Sequence, residues 1–373
     1  MTKIPNGYEV IQLFESFSPK AYAVEGDKIG LQIGSLNKKV KNVMITLDVV
    51  ESVIDEAIDQ NVDLIIAHHP PIFRPIKTLS TETTYGKMLE KCIKHNIAIY
   101  AAHTNLDVAI GGVNDLLAEA LQLTNLEVLV PTYEDQLKKL VVFVPDTHEK
   151  VVRDALGSAG AGHIGAYSHC SFSAKGEGSF LPLDQSNPFI GEKGKLEYVD
   201  EHRIETIFPQ SIQKKVIQAM LKSHPYEEVA YDIYPVEQKG EVLGLGRIGK
   251  LNKELTLQEF AEHVKTSLHV ECVRMVGKPD AKIKKVAVLG GDGNKYIQQA
   301  KFKGADVYVT GDLYFHVAHD AMMMDLNVID PGHHVEKVMI NGVSKKLGEL
   351  CLNEKFDVKV FGSQVDTNPF KFV

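Results

Sequence analysis

The stretch Val62-Asp63-Leu64-Ile65-Ile66-Ala67-His68-His69-Pro70-Pro71 sets the reading of the whole chain. Its unbroken apolar run reads as a short strand covered on both faces, as in a parallel sheet. The two prolines forbid a helix immediately after it. Upstream, Asn42-Val43-Met44-Ile45-Thr46-Leu47 is a strand of the same kind. Between them Val50, Val53, Ile54, Ala57 and Ile58 recur at helical spacing over residues 49–59. Downstream a helix fits residues 85–95, and Ile97-Ala98-Ile99-Tyr100-Ala101-Ala102 is the next strand. Strands alternating with helices mean βαβ units and a covered, largely parallel sheet.

The pattern returns near the other end. Lys285-Val286-Ala287-Val288-Leu289-Gly290-Gly291-Asp292 is a strand running into a turn, a helix fits residues 295–302, and Ala305-Asp306-Val307-Tyr308-Val309-Thr310 follows. Residues 63–69 lie on 306–312 when the two units are superposed, which reads as an internal repeat of two similar α/β lobes. Any two βαβ units share part of that likeness. The middle has a different texture. Strand-like runs at 140–145, 203–208 and 229–234 enclose helices at 149–159 and 211–222, with Gly160-Ala161-Gly162-His163-Ile164-Gly165-Ala166-Tyr167, which reads as a flexible crossover in preference to an anion-binding turn, and a Gly- and Ser-rich stretch to about residue 194 between them. The order β-α-β…β-α-β points to a split-βαβ, ferredoxin-like α+β domain inserted into the outer α/β material. The expected division is therefore 1–130, 131–239 and 240–373.

Composition narrows the function classes. The chain has 373 residues, 44% of them hydrophobic and 24% charged, with a net charge of −8. That balance argues against a duplex-DNA binder, which needs a basic surface to displace counterions. No apolar run approaches the ~20 residues of a membrane span, and the first residues lack the apolar core of a signal peptide. The four cysteines stand far apart with no CxxC pair, which fits neither a zinc ribbon nor a disulfide framework and points to a reducing, cytoplasmic setting. Fifteen histidines remain.

Those histidines concentrate where strands end. In open α/β sheets ligands bind outside the carboxyl ends of strands. There stand His68 and His69, then His103-Thr104-Asn105-Leu106-Asp107, then Asp330-Pro331-Gly332-His333-His334-Val335-Glu336. The three-residue spacing from His333 to Glu336 puts both side chains on one face of a helix start. Imidazoles and carboxylates without cysteine suit zinc, iron or manganese, with room for two ions sharing a carboxylate. His316 and His319, on an expected helix, read equally as pocket-lining acid/base groups or as plain polar positions. Gly244-Leu245-Gly246-Arg247-Ile248-Gly249 matches the spacing of a dinucleotide loop, but no helix opens directly behind it. It reads as a strand and turn between lobes. Gly290-Gly291-Asp292-Gly293 lacks the Gly-Lys-Ser/Thr of a P-loop, and Met322-Met323-Met324 reads as core.

Five segments together resemble one family: Ala23-Val24-Glu25-Gly26-Asp27-Lys28-Ile29-Gly30-Leu31-Gln32-Ile33-Gly34, Ala67-His68-His69-Pro70, Ala102-His103-Thr104-Asn105-Leu106-Asp107, Thr310-Gly311-Asp312 and Gly332-His333-His334-Val335-Glu336. The chain resembles the NIF-three-like family over about 1–130 and 240–373, and the insert resembles the PII- or CutA-like domain of its long bacterial members. Members are commonly named GTP cyclohydrolase 1 type 2 homologs. The resemblance implies two divalent metal ions, zinc or iron, and a toroidal homohexamer built as a trimer of dimers. Its ligands would be His68, His69, Asp107, His333 and Glu336, with the choice between His333 and His334 open. It implies a metal-dependent hydrolase that opens the imidazole ring of guanine; in such a reaction His103 or His316 would move the proton, and the expected substrate is a small molecule or nucleotide. The alternative is a non-enzymatic metal-binding scaffold, chaperone or regulator.

Overall fold

Strand Leu64–Ala67 is buried at every position, and a computed structural model, which describes residues 2–373, places it at the centre of a five-stranded sheet. The order is Gly30–Ile33, Ala98–Ala101, Leu64–Ala67, Asn42–Thr46, Lys359–Gly362. The last four are parallel, and Gly30–Ile33 closes one edge antiparallel to Ala98–Ala101. Helices Glu51–Asp59 and Thr84–Lys94 make the crossovers and bury Val53, Ile54, Ala57, Met88, Leu89 and Cys92 against one face.

A second sheet repeats the theme. Its six strands run Arg274–Val276, Asn327–Asp330, Val307–Gly311, Lys282–Asp292, Val242–Thr256, Thr124–Glu134, with the second, third and fourth parallel. The repeat extends to single atoms. Asp63 Oδ2 accepts from the backbone N–H of Lys41 and Asn42 at 2.7 and 3.0 Å, and Asp306 Oδ2 accepts from Lys284 and Lys285 at 2.9 and 2.7 Å. In each lobe one carboxylate thus sets the register between its own strand and the one before it, Val43 facing Leu64 and Val286 facing Val307. The lobes also interleave. The C-terminal helix Val338–Asn353 leaves the second lobe and returns the chain to Lys359–Gly362, an edge strand of the first sheet. Met339, Val343, Leu347 and Cys351 on that helix are buried in one core with Val43 and Ile45 of the first sheet and Val286 and Val307 of the second.

Three segments differ from their sequence reading, the first being Met322-Met323-Met324, read as core although Met322 and Met323 are 59% and 77% exposed. The dinucleotide-like glycines lie inside a continuous strand, Val242–Thr256, with no turn among them; the strand ends where Thr256 and Glu259 form a capping box on helix Leu257–Leu268. The Gly- and Ser-rich stretch, given no element in the sequence, contains a ten-residue strand, Ser171–Phe180. It has no apolar alternation and is mostly exposed, so only its pairing with Glu197–Pro209 reveals it.

Residues Glu134–Val242 form a separate compact unit, the remainder up to Tyr133 and from Leu243 forming the other. The separate unit is a four-stranded antiparallel sheet in the order Ser171–Phe180, Glu197–Pro209, Leu137–Pro145, Tyr231–Pro235. Helices Glu149–Ser158 and Gln213–Ser223 complete a β-α-β-β-α-β chain order. Its core, built on Leu140, Val142, Val152, Leu156, Ile204, Phe208, Val216 and Met220, is its own. Among the described residues no helix is long and apolar enough to cross a membrane.

Candidate metal centre

The parallel strands of both lobes end at one place. His68 and His69 directly follow Leu64–Ala67, His103 follows Ala98–Ala101, Asp312 follows Val307–Gly311, and His333 follows Asn327–Asp330. The turn after Asn327–Asp330 is a 3-10 helix, His333–Lys337. With three residues per turn, positions i and i+3 eclipse, so His333 and Glu336 meet: His333 Nε2 stands 3.2 Å from Glu336 Oε2. Adjacent His334 points elsewhere, its Nε2 3.4 Å from Asp366 Oδ1. Of the two neighbouring histidines, the structure brings His333 into the cluster.

Glu336 is the meeting point, buried to 2% exposure. His69 Nε2 lies 3.1 Å from its Oε2 and His68 Nε2 3.7 Å. Asp107 Oδ1 faces the same His68 nitrogen at 3.7 Å. Three overlapping groups result, each with donor atoms within 4.8 Å of one another: His68, His69 and His103; His69, His333 and Glu336; His68, Asp107 and Glu336. All five residues expected as ligands are therefore together, and His103 stands with them. His316, the other expected proton carrier, is not brought in. Helix Phe315–Met323 leaves it exposed, its ring 5.5 Å from that of Phe315.

Each imidazole turns its Nε2 inward because its Nδ1 is held from behind. His103 Nδ1 bonds Asp27 at 2.8 Å, His69 Nδ1 bonds Asp48 at 2.7 Å, and His333 Nδ1 bonds Asp312 at 2.7 Å. His68 Nδ1 bonds the Ala102 carbonyl at 3.0 Å. Such outer partners fix the tautomer and ring orientation of metal-binding histidines. Asp27, Asp48 and Asp312 escape a reading confined to histidine clusters. Their signal is a lone carboxylate beside a strand end that only the fold pairs with an imidazole.

The electrostatics show what the cluster lacks. Burial pushes the Asp107 carboxyl up to about 6. Burial acts on Glu336 likewise, but His68, His333 and His69 overcome it and hold that carboxyl well below its usual range. Against burial, Asp48 and Glu336 push His69 up to about 10. Hydrogen bonding to Glu336 does the same for His333, up to about 9. Protons thus balance the carboxylates. Even so, His68 Nε2 and Asp107 Oδ1 are buried without a hydrogen-bond partner, an arrangement that costs free energy unless something fills it. A nitrogen and an oxygen aimed at one point, with Glu336 opposite, fit a cation. Beside the cluster lies a cavity of about 680 Å³, lined by Asp48, His69, His333, His334 and Lys337 and by residues 368–372.

Fold and site together define a two-lobed α/β protein with a buried imidazole–carboxylate centre suited to metal. The comparisons with known proteins place it further. The family model for Duf34/NIF3 (NGG1p interacting factor 3) matches residues 5–369, and the chain belongs to that family. It is 68% identical over 373 residues to a Bacillus subtilis protein named GTP cyclohydrolase 1 type 2 homolog, covering all of both chains. A protein of the same name from Halalkalibacterium halodurans is 58% identical over 371 residues, again over 100% of both. Among solved structures, a Bacillus cereus protein related to NIF3 superposes with a TM-score of 0.96 at 64% identity over the full length of both chains. A Staphylococcus aureus protein superposes with a TM-score of 0.78 at 32% identity, over 99% of both.

Proposed function

We propose that this protein is a metal-dependent hydrolase with a dinuclear centre. The observation that carries the reading is the pair of buried, partnerless atoms, His68 Nε2 and Asp107 Oδ1, facing the Glu336 carboxylate. His68, Asp107 and Glu336 would hold one divalent ion, and His69, His333 and Glu336 a second, with Glu336 shared. The donor set suits zinc or iron. His103, tied back by Asp27, joins His68 and His69 as a further ligand rather than as a proton carrier. Such ions supply Lewis acidity, which polarises an oxygen and makes water nucleophilic near neutral pH.

The chain supplies the rest. Asp27, Asp48 and Asp312 hold the rings in place. His334 lines the cavity outside the cluster, its Nε2 facing Asp366 and Thr367, and is an imidazole there that would move a proton. The cavity has room for a nucleotide, with Lys337 and Lys371 for phosphate and Phe370 against a base. The name of the relatives favours GTP, with water adding at C8 of the guanine imidazole ring before it opens. Measuring metal content after purification without chelator or metal resin, then following GTP with and without the metal, tests this. Metal-dependent turnover is the expected result. Tight stoichiometric metal with no turnover of any nucleotide would instead favour a scaffold or store, a reading supported by the deep burial of His68 and Glu336.

The same reading extends to the division of the chain. Residues 1–130 and 240–373 are NIF-three-like lobes, and 131–239 is a PII- or CutA-like module. The assembly is a toroidal homohexamer, supported by the open edges of the insert's sheet at Ser171–Phe180 and Tyr231–Pro235. A light-scattering mass near 41.3 kDa, the single chain's mass, would refute the ring. Four unpaired cysteines favour a reducing cytoplasm.

A further inference from the structure

The separate unit, taken by itself, holds a cavity of about 660 Å³, within the usual range of small-ligand pockets, about 300–1,000 Å³. It lies at the closed end of the hairpin that joins Ser171–Phe180 to Glu197–Pro209. Its walls are chemically one-sided. Phe180 and Phe189 flank Tyr226, with ring centroids 6.0 and 6.4 Å from it. Glu201 lines the same space at only 9% exposure, and its carboxylate accepts a hydrogen bond from the Tyr226 hydroxyl at 3.0 Å. Glu227 and Glu228 add two carboxylates, and no lysine or arginine lines the cavity.

The backbone makes room for this arrangement. A Cβ at Gly178 would stand 2.2 Å from Glu201 Oε2, so a bare glycine leaves the space the carboxylate occupies. The loop carrying Phe189 is tethered across the cavity where Asn187 N–H donates to Glu227 at 2.7 Å. A nearly buried carboxylate with one neutral donor is short of positive charge. Aromatic faces attract cations within about 6 Å of their centroids. Both features call for the same partner, whereas an anion meets three carboxylates and a neutral molecule brings Glu201 no compensating charge.

We propose that this pocket binds a small organic cation, an amine or quaternary ammonium with a short apolar tail, between the Phe180, Phe189 and Tyr226 rings and against the Glu201 carboxylate. The site is independent of the metal centre and of any activity there. Calorimetric titration of the full chain with hexyltrimethylammonium, hexanol and hexanoate tests it. The cation should bind about tenfold or more tighter than either of the others. Glu201→Gln should remove most of that preference and leave hexanol unchanged. Phe189 is 53% exposed, so Phe189→Leu keeps an apolar wall and the fold while removing one ring; it should weaken the cation alone, even if Glu201→Gln fails to fold. Equal affinity for the three probes, or cation affinity unchanged in Phe189→Leu, would overturn the proposal. So would binding of none of them, the result if a second copy of the chain seals this face.

Discussion

Asp48 touches no ligand position itself, yet it decides where His69 points. Its Oδ1 holds His69 Nδ1, and its Oδ2 is held in turn by the Thr367 hydroxyl at 2.5 Å. Asp48→Asn should therefore lower metal affinity about 10- to 100-fold, as loss of such outer partners does, while Asp107→Ala should abolish one ion with the fold intact. Competition against a coloured chelator measures both, and full occupancy in Asp107→Ala would remove that residue from the ligand set. The same neighbourhood predicts a pH signature of the metal-stripped protein. His69 and His333 have folded-state values of about 10 and about 9, above the ~6.5 of an unfolded histidine. Their stabilisation is fully present below about 6.5 and is lost as pH rises through 9 and 10. Thermal melting of the stripped protein should fall between pH 7 and 10. Bound metal, which takes the place of those protons, should flatten the slope; an equally steep fall with metal present would refute this origin.

At the scale of elements, glycine turns shape the centre as much as the strands do. Gly291 sits at φ +65° where Lys282–Asp292 ends, and a Cβ there would stand 2.8 Å from Glu336 Oε1 and 3.2 Å from His333 Nε2. The glycines that fail as a phosphate loop thus make space for the cluster. Gly291→Ala should cost about 1 kcal/mol or more of stability from its positive φ. It should also weaken metal binding by pushing Glu336 aside; melting and chelator competition read the two effects separately. Helices Thr84–Lys94 and Val338–Asn353 each seal a cysteine. Burial pushes the Cys92 and Cys351 thiols up to about 11, so neither is a thiolate near pH 8. A native-state thiol titration should count two reactive cysteines, Cys170 and Cys272, which are only half-buried, and four after denaturation. Early labelling of Cys92 would mean that its helix opens.

For the whole molecule, the separation of cores sets the prediction. The insert's core shares no residue with the three clusters of the outer unit. Its two ends are also neighbours, since Asp135 N–H donates to the Glu241 carbonyl at 2.9 Å. Replacing residues 134–242 by a short turn should give a soluble protein that still binds metal. Metal lost from such a variant, with the outer unit folded by circular dichroism, would mean that the insert contributes to the centre.

The runs 42–47, 62–67 and 97–102 point to a buried parallel sheet by themselves, because each is apolar, too short for a helix and separated from the next by a helical segment. The repeat was legible for the same reason, and so was the grouping of His68, His69, Asp107, His333 and Glu336, which lie in the segments that follow strand ends. Strand Ser171–Phe180 was not legible, since an exposed edge strand carries no apolar period and exists through its partner. Nor was the choice of His333 over His334, which depends on a 3-10 rather than an α turn. Asp27, Asp48 and Asp312 acquire their roles only when each lobe folds and sets them behind an imidazole distant in sequence. Hydrophobic pattern is local along the chain, whereas a hydrogen bond from residue 27 to residue 103, or a carboxylate at 336 shared with imidazoles at 68 and 69, is created by tertiary packing alone.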